Sequence, residues 1–351
     1  MSKEKTVDPQ WIENQRNELA ALHQQIIDGV ANITSGEEWK AMLSMMAKMP
    51  TYSFNNIMLI LQQTNGEATM PASFTFWKTV GRSVRKGEKA LRIFAPVIKK
   101  MPFNTSTQEW IEKDEIVDPA NIIWRKKVVG FKPAPVFDVA QTIGAPLPDV
   151  QPKLLSGGVP EGLKEDLEHI AYTLGYTVSY VDPSLLHGAN GVTKPKEKII
   201  HVRNDVSDAA TVKTLIHEVS HARMHGDLKD GEYVEHRGLY EIEAESSAYI
   251  IAAAHGLDTS QYSFPYVAGW SQGDTEQIIE TAENVLKNAQ DILQHTNPAV
   301  LQRKEIINEL AKESDTLSTP TKTHEAINKS QPACNSRDPF PAPARTSRST
   351  R

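Results

Sequence analysis

Between residues 9 and 49, apolar side chains recur mostly at three- and four-residue steps: Trp11, Leu19, Leu22, Ile26, Ile27 and Val30, then Trp39, Leu43 and Met46. That period predicts amphipathic helices. Ser35 ahead of Glu37 and Glu38 marks a helix start, with a capping hydroxyl and acids in the first turn. Phe54 to Gln63 (FNNIMLILQQ) predicts a further helix closed by Asn65-Gly66. From Ala72 to Val139 the pattern changes to short strands and turns. Trp77, Val80, Val84, Leu91, Ile93 and Val97 lie among Gly81, Gly87 and Pro96, and Val128-Val129 and Val136-Phe137 predict later strands broken by Gly130, Pro133 and Pro135. Met101 to Asp118 is expected to be a surface excursion. Pro146, Pro148, Pro152, Pro160 and Gly157-Gly158 mark a linker.

Beyond it the pattern predicts helix over 162–174, strands at 177–180 and 198–202 (KIIHV), and helices over 209–225, 241–254 and 275–293. The expected fold class is α+β, in two domains at 9–148 and 161–296, joined by a linker at 149–160. After residue 314 the chain is rich in Ser, Thr and Pro and is expected to be a disordered tail, 314–351. With 351 residues, 39% hydrophobic and 23% charged, there is material for substantial cores. No window approaches 18 consecutive apolar residues, so no spanning helix and no membrane partner is expected. The charged start MSKEKTVDPQWIENQRNE does not read as a secretory signal. A lone cysteine, Cys334, rules out an internal disulfide and a cysteine-based zinc cluster, so a reducing cytoplasmic setting is expected.

The net charge of −6 hides a division. Phe76 to Lys132 holds thirteen Lys/Arg against six Asp/Glu, whereas Asp205 to Asp258 holds eleven acids against four bases. Opposite surpluses on two segments imply two sites with different partners.

The acidic segment contains His217-Glu218-Val219-Ser220-His221, an H-E-x-x-H pattern. On a helix, residues four apart share a face about 6 Å apart along the axis. Two imidazoles so placed can converge on one zinc ion at roughly 2.1 Å each. Glu218, beside the first, can then act as general base on the ion's water. Several residues compete for the third ligand position. His225 continues the same face, but stands about 12 Å from His217 along an unbroken helix. Asp227 falls where the metzincin pattern puts its last ligand, but Met224 replaces the glycine that pattern needs. His236 would give a three-histidine site. Glu241 is preferred, because Glu241, Ala244, Glu245 and Ala248 share one face whose alanines permit close helix approach. Glu245 would then orient a ligating histidine, the two roles being reversible, with Glu243 a flanking alternative. Tyr233, His236 and Tyr249 are candidates to steady an oxyanion.

HEVSH at 217–221 followed by EIEAE at 241–245 resembles the Glu-ligand (gluzincin) branch of the zincin metallopeptidases, nearest to IrrE/ImmA-like peptidases. The resemblance implies a zincin-like domain holding Zn2+ and a substrate-pairing edge strand, for which KIIHV is the matching element.

In the basic segment, Lys78, Arg82, Arg85, Lys86, Lys89 and Arg92 interleave with Phe76, Trp77 and Phe94. Cations neutralise phosphates and aromatic faces stack on unpaired bases. Single-stranded nucleic acid is the expected partner, with Trp77 and these six cations as contacts. Asn55 and Asn56 are either polar site residues or local caps. YSFNNIMLILQQ, FTFWKTVGRSVRKGEKALRIFAPV and GFKPAPVFDVAQTIGAPLP together resemble the N-terminal domain of ArdC-type antirestriction proteins, with a related module at the front of some plasmid-transfer primases. That resemblance implies a mobile-element protein that binds single-stranded DNA and protects incoming DNA from host restriction. It leaves three activities open: a zinc peptidase acting on a protein substrate or host restriction component, a non-catalytic shield with a structural zinc domain, or a DNA-gated protease of a host or phage regulator.

Overall fold

A computed structural model describes residues 9–116, 119–147, 158–228, 236–307 and 309. The expected linker at 149–160 lies largely outside the described residues, and Tyr233 and the tail at 314–351 lie wholly outside them.

The fold is mixed α and β. The front half opens with α1 (Pro9–Ala31), α2 (Gly36–Lys48) and α3 (Phe54–Thr64). Helix α2 starts where the sequence predicts: the Ser35 hydroxyl accepts from the Glu38 N–H, and Glu38 reaches back to the Ser35 N–H at 2.8 Å, a reciprocal cap. Helix α3 ends at Asn65 in the left-handed region. FTFWKT, expected among strands and turns, forms a short helix instead, α4 (Phe74–Thr79), because the Ser73 hydroxyl caps it by accepting from Phe76 N–H.

Two strands, β1 (Arg82–Val84) and β5 (Thr142–Gly144), pair antiparallel. Between them rises a long antiparallel ribbon of β2 (Leu91–Asn104) and β4 (Ile122–Val136), with the short β3 (Glu109–Trp110) on the free side of β2. The expected surface excursion is therefore in part ordered strand, and the two expected late strands are one. Gly130 does not break β4 because a bulge opposite Val97 and Ile98 absorbs the irregularity. Pro133 and Pro135 are tolerated because β4 is an edge strand, where two positions of equal parity can lack a donor on the outer side. Asn56 clamps the ribbon to α3: its Nδ2 donates to Phe94 O at 2.9 Å and its Oδ1 accepts from Phe94 N–H at 2.8 Å. Its role is to join elements.

The back half contains α5 (Leu163–Thr173), β6 (Thr177–Val181), β7 (Gly191–Lys194), β8 (Ile199–Arg203), α6 (Asp208–His225), α7 (Arg237–Ala254) and α8 (Thr275–Thr296). The sheet order is β6-β8-β7, with β8 parallel to β6 and antiparallel to β7.

One continuous apolar core runs through both halves, from Trp39, Leu43 and Ile57 to Leu215, Ile250 and Val285. Its seam is α2 against α7, where the buried Trp39 Nε1–H donates to Ser246 Oγ at 2.9 Å. The Trp39 ring meets Trp270 edge-on at 5.0 Å. Gly36 is required at this seam, since a Cβ there would stand 2.0 Å from the Phe264 carbonyl oxygen. No described helix is long and apolar enough to cross a membrane.

Candidate functional site

Helix α6 is capped by Ser207, whose hydroxyl accepts from Ala210 N–H, and carries the H-E-x-x-H residues in its C-terminal half. It packs on α7, in which Ala244 and Ala248 are both fully buried. That contact brings three side chains to one point. His217 Nε2 and His221 Nε2 lie 3.0 Å apart, and Glu241 Oε2 is 3.5 Å from the first and 3.6 Å from the second. Donors bonded at roughly 2.1 Å to a common tetrahedral centre would stand about 3.4 Å apart, so this set fits one divalent ion. Among the described residues it is the group of His, Cys, Asp or Glu able to do so.

The surrounding side chains orient the two rings. His217 Nδ1 lies 3.0 Å from Glu245 Oε2. A carboxylate only accepts, so the proton is on Nδ1 and Nε2 faces the site. His221 is held through two relays: its Nδ1 lies 3.1 Å from His225 Nδ1, and His225 Nε2 lies 2.9 Å from Glu243 Oε2. Glu243 fixes the His225 proton on Nε2, so His225 Nδ1 accepts from His221 Nδ1–H and leaves the His221 Nε2 lone pair for an ion. Asn284 Nδ2 donates to the other Glu243 oxygen at 3.3 Å. His225 and Glu243, weighed as ligands in the sequence, thus stand one shell back. Three histidines at four-residue steps were the visible signal, but the carboxylate behind them depends on helix packing.

Of the other candidates, Asp227 is exposed and pairs with Lys198 at 3.8 Å, and His236 sits at the start of α7 against the Tyr240 ring. Tyr249 is buried against Tyr262 and Phe264, so its expected availability to an oxyanion is corrected: its ring is core.

Glu218 is buried beside the donors, and its Oε2 accepts from Thr193 Oγ1 at 2.7 Å. Thr193 belongs to β7, which approaches α6 so closely that a Cβ on Gly191 would lie 2.7 Å from Glu218 Oε1. KIIHV is therefore not the edge element. It forms the central β8, with Ile200 and Val202 fully buried between neighbours, while β7 borders the site. A cleft of about 1320 Å³ runs between β7 and the donor triad, lined also by Lys213 and Tyr262.

Burial pushes the Glu218 carboxyl above its ordinary range, against the opposing pull of His217 and Thr193. Burial also disfavours charge on His217, but hydrogen bonds to Glu241 and Glu245 override it and push this imidazole up to about 10. His221 is pushed down, by burial first.

The basic segment is arranged differently from the expectation. Trp77 is fully buried and its Nε1–H donates to Phe137 O at 2.8 Å. Its ring cannot stack on bases, because α4 turns it into a small core with Met70, Ala72, Val80 and Ile307. Phe94 is likewise core. Arg82 is half-buried, with Nε donating to Thr142 Oγ1 at 2.8 Å, Arg85 pairs with Glu88 at 2.7 Å, and Arg92 pairs with Glu18 on α1. Lys78, Lys86 and Lys89 are exposed.

Residues 17–127 match the family model for the N-terminal domain of anti-restriction factor ArdC. Over those residues the chain is similar to the ArdC N-terminal domain. The matched stretch includes α2 to α4 and much of the β2–β4 ribbon. The chain is also 26% identical over 309 residues to an uncharacterized protein of Bacillus anthracis, pXO2-81, covering 81% of this chain and 51% of that one. It thus spans about half the length of the curated relative it matches. Among solved structures, the metal-free antirestriction ArdC protein from the R388 plasmid is 20% identical, with a TM-score of 0.42 over 70% of this chain and 85% of that one. Its Mn(II)-bound form is 19% identical, with a TM-score of 0.38 over 74% and 97%.

Proposed function

We propose that this chain is an antirestriction protein that binds single-stranded DNA through its ArdC-type domain and cleaves peptide bonds at a zinc-type centre held by His217, His221 and Glu241. The observation that carries the enzymatic half is the convergence of three donors within 3.6 Å beside a buried Glu218. Two imidazoles and a carboxylate are a donor set suited to Zn2+. A divalent ion bound there would lower the pKa of its water and polarise a carbonyl.

The chain's own residues supply the rest. Glu245 and the His225–Glu243 pair keep both Nε2 lone pairs aimed inward. Thr193 holds the Glu218 carboxylate in the position to take a proton from water and return it to a departing amine. Among the described residues no strand pairs with the outer edge of β7, so an extended peptide can add there, its backbone lying along the cleft.

The test is Glu218→Gln. It is expected to abolish peptide cleavage while leaving metal content and oligonucleotide binding at wild-type levels. Cleavage at the wild-type rate would remove Glu218 from the mechanism. Protection of transferred DNA by the same variant separates the roles: lost protection ties proteolysis to antirestriction, and full protection makes DNA binding alone the protective act.

A further inference from the structure

We propose that the single strand is gripped by the β2–β4 ribbon, through Lys99, Lys100, Lys126, Lys127 and the exposed ring of Trp124, rather than by the segment around Trp77. The inference rests on the reading of the ArdC-type domain as a single-strand binder and says where the strand lies.

Strands β2 and β4 together carry seven Lys/Arg and no Asp or Glu. Two of the cations in β2 face like charges directly across the ladder, Lys99 opposite Lys127 and Lys100 opposite Lys126. Directly opposed like charges destabilise a ribbon, and here two such pairs are adjacent. Such an arrangement is explained by an anion that bridges the pairs. Phosphates spaced along a strand supply that charge on both faces at once, since alternation sends the two pairs to opposite sides.

The apolar exposure points to bases. Trp124 is 51% exposed and shares its face with Lys100 and Lys126, two positions and one strand away. Phe131, 59% exposed, lies further along β4. On the other face Arg125 lies 4.5 Å from the Phe103 ring and Lys127 5.2 Å from the Trp110 ring, so cations and aromatic planes alternate there too. A lipid surface fits less well, because an inserting element needs one continuous apolar face. Here the Lys100–Lys126 pair interrupts the row formed by Trp124, Ile98 and Val128.

The experiment uses the full chain, a labelled oligothymidylate and fluorescence anisotropy across a salt series, with circular dichroism to confirm folding. The K99Q/K100Q/K126Q/K127Q variant is expected to flatten the log–log salt slope by about 2.8, from roughly 0.7 per phosphate contact on a single strand. Trp124→Ala is expected to weaken binding about tenfold or more with the slope unchanged, as for a lost base stack. A quadruple variant with wild-type affinity and slope overturns the proposal, as does a loss confined to a K78Q/K86Q/K89Q variant, which would leave single-strand binding intact but elsewhere. Absence of wild-type oligonucleotide binding removes the underlying reading as well. Binding to phosphatidylserine vesicles that is lost in the quadruple variant, with oligonucleotide binding retained, assigns the ribbon to lipid and also overturns it.

Discussion

His225 is the residue whose substitution best tests the ordering of the donor set. It touches no ion in the proposed centre, yet it passes the Glu243 constraint to His221. His225→Ala is expected to lower zinc affinity roughly 10- to 100-fold, the usual effect of losing an outer partner, in a competition titration against a chromophoric chelator. The pH dependence follows from His217. In the metal-free protein its imidazole, pushed up to about 10, holds a proton near neutrality that an ion must displace. Apparent zinc affinity is therefore expected to rise about tenfold per pH unit from about 7 to 9 and to level off as pH passes the imidazole's value. A flat profile in that window would contradict the Glu241 and Glu245 contacts. At this scale the sequence was informative about His217, Glu218, His221 and Glu241, because a helix converts spacing directly into a face. It placed Glu245 behind a ligating histidine, but it offered Glu243 only as a flanking ligand and not as the partner of His225. Both lie on one turn of α7, and only the packing against α6 sends one to His217 and the other to His225.

The elements differ in how legibly they are written. Long helices with apolar faces and capping hydroxyls, such as α2 and α6, follow from period and cap together. Strand β7 has four residues, Gly191 to Lys194, with no run of apolar alternation, so the more hydrophobic β8 was the conspicuous strand while the site borders its neighbour. Strand β4 was obscured for a different reason. Gly and Pro act as local breakers, but an edge position and a bulge, both tertiary facts, remove the penalty. Strand β7 also gives a sharp prediction. A Cβ at residue 191 would press on the Glu218 carboxylate and on Thr214, so Gly191→Ala is expected to cut peptide cleavage at least tenfold while zinc content stays at wild type. Wild-type turnover in that variant would show that the β7–α6 approach does not position Glu218.

Across the molecule, the front helices and the back helices share one core, with Trp39 crossing from one to the other. Ser246→Ala would strand a buried indole N–H, at a cost of about 1–3 kcal/mol. It is expected to shift a single urea transition that near-UV and far-UV signals report together. Two separate transitions, only one of them moved, would mean the halves unfold independently. The charge division read in the sequence persists in space as a cation-bearing ribbon and an acid-bearing helix. The claim on which the enzymatic account depends is that His217, His221 and Glu241 close on one divalent ion. Zinc and manganese stoichiometry, measured by plasma mass spectrometry on wild type, His217→Ala, Glu241→Gln and Glu218→Gln, tests it most directly. One ion per chain is expected in wild type and in Glu218→Gln, none in His217→Ala, and a sharply reduced content in Glu241→Gln. Stoichiometric metal that survives both the His217 and the Glu241 substitutions would contradict it.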